Sequence, residues 1–148
     1  MKIRGETLGD PYLYGRTASR ILLQVKTVSE LNKEKVRLFV DAVLNGGQLE
    51  LIDELIAADY LGHVRCLGRT VIGPAGVHQL VSSQRCTHPE LRFTIADLVA
   101  EDDRVAVRWQ ARAAPHILWE GLTIIRFLAG RQVDAQTECT SWRPPPAR

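Results

Sequence analysis

The residues in this chain best equipped for chemistry are histidines and cysteines. In "AADYLGHVRCLGR", His63 stands three residues after Tyr60 and three before Cys66; Cys86 and His88 follow twenty residues later. An imidazole titrates near neutrality, so His63 is suited to carry a proton to or from a bound molecule if a pocket holds it within hydrogen-bond reach. It could equally bind a backbone carbonyl and do nothing else. His63, Cys66, Cys86 and His88 also form an H-x-x-C and C-x-H set of zinc-capable ligands. Structural zinc draws on knuckles with ligands two to four residues apart, and C-x-H is a poor chelating spacing, so no metal is expected. Cys86 beside His88 lacks an evident third group to orient a thiol nucleophile, and the cysteines read more simply as small buried hydrophobes. The glycines Gly73 and Gly76 open a helix rather than a phosphate loop, because no Lys-Ser or Lys-Thr follows them. No nucleotide and no other cofactor is expected.

The elements that must position these groups are those of one globular domain. The chain has 148 residues, 45% of them hydrophobic, and a net charge of +2 from 19 basic and 17 acidic residues, with no block of like charges to serve as a nucleic-acid arm. No apolar run approaches the ~20 residues that cross a membrane, and the start lacks the pattern of a signal peptide. Three cysteines cannot all pair within one chain, and reduced thiols in a cytoplasmic protein are expected. Residues 1–28, rich in turn formers up to Gly15, read as an appendage; residues 29–143 form the domain, and residues 144–148 lie in a proline-rich tail that cannot continue a sheet.

Within the domain the apolar period changes once. Val36, Phe39, Val40, Val43 and Leu44 lie on one helical stripe, with Asn32 as the expected N-cap and Gly46 and Gly47 as the stop. Leu51, Ile52, Leu55 and Ile56 predict a second, short helix. "GPAGVHQLVSSQRC" predicts a third, with Pro74 at its first position. After Pro89 the period falls to two, and four strands follow: "LRFTIADLVAE", "RVAVRWQARA", "LWEGLTIIRFLA" and "RQVDAQTECTSW". Three helices followed by antiparallel strands give an α+β class in which the helices cover one face of a curved sheet. A cavity is left where the helices fail to fill the curve, and such a cavity is the default ligand site.

In order and spacing, "NKEKVRLFVDAVLNGGQLELIDELIAADYLGH", "VIGPAGVHQLV", "HPELRFTIADLVAEDDRVAVRWQARA" and "GLTIIRFLAGRQVD" resemble the SnoaL-like polyketide cyclases of the nuclear transport factor 2-like superfamily. The resemblance covers about Asn32 to Trp142. It implies a cone-shaped half-barrel, usually a homodimer, whose cavity takes a small apolar molecule, and cofactor-free proton transfer by a histidine and a carboxylate beside a carbonyl. His63 falls on the family's Asp-Tyr-x-x-His pattern. The family's terminal-strand aspartate is replaced: its position falls near Thr140 in "AQTECTSW", leaving Glu138, of the same strand parity, as the substitute acid. "ARAAPHILWEG" is shorter than the family's corresponding excursion, where His116 is the candidate to stand for a lost histidine.

The expected catalytic pair is therefore His63 and Glu138, in a pocket lined by Tyr60, Trp109, His116, Trp119, Thr140 and Trp142. A structural use for Glu138, paired with Arg108 or Arg126, competes with this, as does plain core packing for the tryptophans. Two functions remain open. One is a cyclase- or isomerase-type enzyme acting on an apolar carbonyl compound; the other is a ligand-binding or dimerisation module without chemistry. A pocket holding His63 with an ionisable partner favours the first, and a pocket filled by Trp109, Trp119 and Leu118 favours the second. The sheet face not covered by helices predicts a homodimer.

Overall fold

Helix α1 (Val28–Leu38) starts one turn before the expected cap. Thr27 is the N-cap, and its hydroxyl accepts from the Glu30 amide at 3.2 Å while the Glu30 carboxylate accepts from the Thr27 amide at 2.9 Å, which satisfies two otherwise orphaned donors. Asn32 instead lies inside the helix, buried, with its Nδ2 unpartnered. The computed structural model describes residues 25–113 and 115–141, so most of the expected appendage, Trp142 and the proline-rich tail lie outside the described residues.

The chain runs from α1 into a wider π-helical turn, Phe39–Asn45, which carries the apolar stripe onward: Val36, Val40 and Val43 are buried. Gly47 ends it in the left-handed conformation, φ +68°. The stop is reinforced from a distance, because Arg85 donates to the carbonyls of Leu44 (3.1 Å) and Asn45 (3.0 Å). Asn45 then grips the backbone of Phe93 with both ends of its carboxamide, each at 2.8 Å, and fixes the helical layer to the sheet.

The second helix is short, as expected: a 3₁₀ turn, Leu49–Leu51, and one α turn, α2 (Ile52–Leu55). Immediately afterwards the chain extends into β1 (Ile56–Val64), and a 3₁₀ turn, Arg65–Leu67, leads to β2 (Arg69–Ile72). Neither strand follows from local periodicity. Alternation in β1 is broken by a bulge between Ile56 and Leu61, and its pairing with the last strand is decided across the whole chain. Helix α3 (Gly73–Thr87) has Pro74 in its first turn and buries Val77 and Val81.

The remaining strands match the period-two segments: β3 (Arg92–Glu101), β4 (Arg104–Ala113), β5 (His116–Leu128) and β6 (Arg131–Ser141). Among the described residues the six strands make one sheet in the order β2-β1-β6-β5-β4-β3. All neighbours are antiparallel except β1 and β6, which run parallel. The helices pack on one face of this curved, unclosed sheet, and the core of Ile52, Ile56, Val81, Val105 and Phe127 lies between the layers. This is the expected α+β architecture, extended by two strands.

Candidate functional site

Between helices and sheet a cavity of about 360 Å³ remains, within the range of roughly 300–1,000 Å³ usual for small-molecule sites. The period-two alternation decides who faces it. Val107 and Trp109 on β4, Thr123 and Ile125 on β5, and Ala135, Thr137 and Cys139 on β6 share the inner face, opposed by Phe39 and Val40 of the first helical layer and Leu80 of α3. The wall is mostly apolar. Among the described residues that line it there is no aspartate or glutamate; Arg69 brings the cationic charge and Tyr60 and His88 the other titratable groups.

Tyr60 points along β1 and its ring lies over Gly62. A Cβ at Gly62 would stand 2.6 Å from the Tyr60 hydroxyl, so this glycine makes room for the phenol. Burial, reinforced by the negative charge of Asp134, pushes the Tyr60 pKa up to about 12. The phenol is therefore a neutral hydrogen-bond donor at any physiological pH. Trp109 lies flat against β5 at Gly121, where any Cβ would overlap its ring and stand 2.7 Å from the Glu138 carbonyl. Its Nε1 donates to Thr123 Oγ1 at 3.0 Å, and Thr123 and Thr137 hydroxyls are 3.0 Å apart. In the lining, His88 at the C-cap of α3 meets Trp119 edge-on with ring centroids 5.1 Å apart.

Three of the expected pocket residues, Tyr60, Trp109 and Trp119, line this cavity. The tryptophans form walls and leave the space open. The expected catalytic pair is elsewhere. His63 pairs in register with Thr70 on β2 and Gln136 on β6, which puts it on the outer face, opposite in phase to Gly62 and Val64; its Nδ1 is 3.4 Å from the Thr70 hydroxyl. Glu138 pairs with Leu122 on the same outer face, is 63% exposed, and lies 3.1 Å from Arg65 Nε. The competing ion pair is thus real but has a different partner, since Arg108 binds Asp97 and Arg126 binds Asp134. Thr140 shares the phase of Glu138 and is likewise outside, and His116 is exposed at the start of β5.

The expectation of reduced cysteines is also corrected. Cys66 and Cys139 form a disulfide, with Cα atoms 5.4 Å apart, and Cys86 is free and exposed. The bond ties the turn between β1 and β2 to the last strand at the cavity wall, beside the Arg65–Glu138 pair. It also removes Cys66 from any zinc set.

Sequence reasoning misses Arg69, Thr123, Thr137 and Gln132 as lining residues, and reads His88 only as a zinc-capable ligand or a neighbour of Cys86. The threonines were within reach: the cavity phase of Val105 and Val107 on β4 reappears beyond the Pro115 break at Thr123 on β5, and beyond the Gly130 turn at Thr137 on β6. Gln132 is buried at the inner end of β6 with its Nε2 unpartnered, a cost that composition does not reveal.

The family profile of SnoaL-like polyketide cyclases matches residues 34–136. The chain belongs to the SnoaL-like polyketide cyclase family. No curated protein sequence matches it. Solved structures are similar in fold at low identity. A provisionally assigned ketosteroid isomerase from Kribbella flavida is 20% identical over 82% of this chain and 87% of its own, with a TM-score of 0.67. An NTF2-like protein of unknown function from Mesorhizobium loti is 24% identical over 80% and 98%, TM-score 0.65. IdmH, a provisionally assigned polyketide cyclase from Streptomyces antibioticus, is 23% identical over 73% and 91%, TM-score 0.64. This SnoaL-like chain shares their helix-covered sheet.

Proposed function

We propose that this SnoaL-like protein binds a small apolar carbonyl compound in the cavity and transfers a proton at the carbon beside the carbonyl, without a cofactor. The carrying observation is the cavity itself: a mostly apolar space of about 360 Å³ whose lining includes neutral donors, the Arg69 cation and the His88 imidazole. Withdrawing a proton beside a carbonyl leaves charge on the oxygen, and a preformed donor in a water-poor site stabilises that charge. Tyr60 is such a donor. His88 is the lining group able to accept the proton, and its edge contact with Trp119 steadies the ring. His63 and Glu138 have no part in this reading, because the sheet lies between them and the cavity.

A second reading, binding without chemistry, has its own support. No described lining residue is a carboxylate, and the position of the family's terminal aspartate falls near Thr140, which is on the outer face. Deuterium exchange at the carbon next to the carbonyl of 1-tetralone, followed by NMR in deuterated buffer, separates the two. The enzyme reading expects exchange above the buffer rate, reduced at least tenfold in His88→Gln. Tight binding with no exchange above buffer would establish the second reading.

The outer face supports a homodimer. Leu61, Leu122, Ile124 and Val99 are 40–63% exposed there, flanked by the Asp97–Arg108 and Asp134–Arg126 pairs. An apolar strip of this kind, framed by charge of both signs, is self-complementary under a twofold axis.

A further inference from the structure

Two threonines interrupt an otherwise apolar stretch of the cavity wall. Val64, Thr137, Thr123 and Val107 form one register row across β1, β6, β5 and β4, and Arg69 on β2 continues it. All five line the cavity, and both threonines are only partly buried.

Their protons can be counted. The Trp109 indole brings one donor hydrogen and each hydroxyl one more, making three. The group makes two hydrogen bonds: Trp109 Nε1 to Thr123 Oγ1, and one between the hydroxyls, each 3.0 Å long. One hydroxyl hydrogen is left over whichever threonine donates to the other. Among the described residues neither hydroxyl has another partner. Hydrogen bonds in series polarise one another, which favours the order Trp109 to Thr123 to Thr137 and leaves the spare hydrogen on Thr137. The Thr123 hydroxyl gives the Trp109 indole its acceptor, but valine at position 137 would fill the same volume without exposing a polar group to an apolar space, so packing gives no reason for the Thr137 hydroxyl. The Tyr60 phenol lies over Gly62, whose register partner Ala135 is two residues before Thr137 on β6, so both donors serve the same stretch of wall.

We propose that the Thr137 hydroxyl, oriented by Trp109 through Thr123, is the donor that selects ligands carrying a carbonyl oxygen on an apolar frame. The proposal rests on the cavity being the ligand site and names the residues that read the ligand's oxygen. Trp109 and Thr123 are positioning residues; Thr137 makes the contact.

The test is calorimetric titration of the full chain with 1-tetralone and with tetralin, the same bicyclic frame without the oxygen. In Thr137→Val the preference for ketone over hydrocarbon should fall about five- to tenfold, the value of one net hydrogen bond, while tetralin affinity stays within twofold. Thr137→Ser should keep the preference. The carbonyl stretch of bound 1-tetralone should lie at lower wavenumber in the wild type than in Thr137→Val. Should Thr137→Val fail to fold, Thr123→Val carries the comparison, with the same loss of preference expected from a misoriented Thr137. A preference unchanged in the folded variant, with both compounds bound, overturns the subsite and leaves the cavity reading standing. If the wild type binds neither compound, the cavity reading fails and the subsite fails with it.

Discussion

Tyr60 illustrates how a single residue's chemistry follows from its placement. Its hydroxyl is raised to about 12 by burial and by Asp134, against about 10 in an unfolded chain. Below pH 10 the phenol is protonated in both states and contributes no pH dependence. Between pH 10 and 12 the unfolded chain loses the proton while the folded one keeps it, so stability falls with rising pH, by about 2–3 kcal/mol in all. Tyr60→Phe should flatten this alkaline limb in denaturant titrations run at successive pH values; an unchanged limb would mean the phenol is not desolvated. His63 makes the opposite point. Its residue type and spacing advertised chemistry, yet its strand phase sends it to the outer face beside Thr70 and Gln136. His63→Ala should therefore leave 1-tetralone affinity and exchange within twofold, and a tenfold loss of either would contradict the placement. Which residue types could act was legible from the sequence. Which side of the sheet they occupy was not, because one bulge or one missed strand reverses the phase.

At the scale of elements, the four consecutive strands were legible because each keeps a period of two over ten or more residues, and the helices because their apolar residues fall at helical spacing, with the Gly46-Gly47 stop and the Pro74 start as boundaries. β1 and β2 were not. β1 alternates only in part, through "IAADYLGHV", and it becomes a strand because β6 lies beside it in parallel, a pairing across some seventy residues. The family's Asp-Tyr-x-x-His pattern points His63 to the pocket, and only the phase of β1 shows it on the outer face. The same region holds the Cys66–Cys139 bond, which three cysteines, an odd number, gave no reason to expect. The bond joins residues 73 apart in sequence, and closing so long a loop restricts the unfolded chain. Cys66→Ser should lower stability by about 2–4 kcal/mol in urea unfolding under non-reducing conditions and match the wild type once reductant is added. Equal midpoints without reductant would show that the bond does not form.

The whole molecule is a curved sheet incompletely filled by its helices, and each face has its own consequence. The outer face, with Leu61, Leu122 and Ile124 exposed, should pair two copies, so sedimentation at micromolar concentration should give a dimer, and Ile124→Lys should give a monomer. A wild-type monomer at that concentration would remove the dimer. The inner face holds the cavity on which the functional reading depends, open between Trp109, Trp119 and Leu80 rather than closed by them. The most direct measurement is a crystal structure of the protein soaked in 1-tetralone. The bicyclic ring should appear in the cavity against Trp109 and Leu80, with its oxygen turned toward Thr137. A cavity collapsed onto its own tryptophans, or the ketone found only on the outer face near His63, would contradict the account.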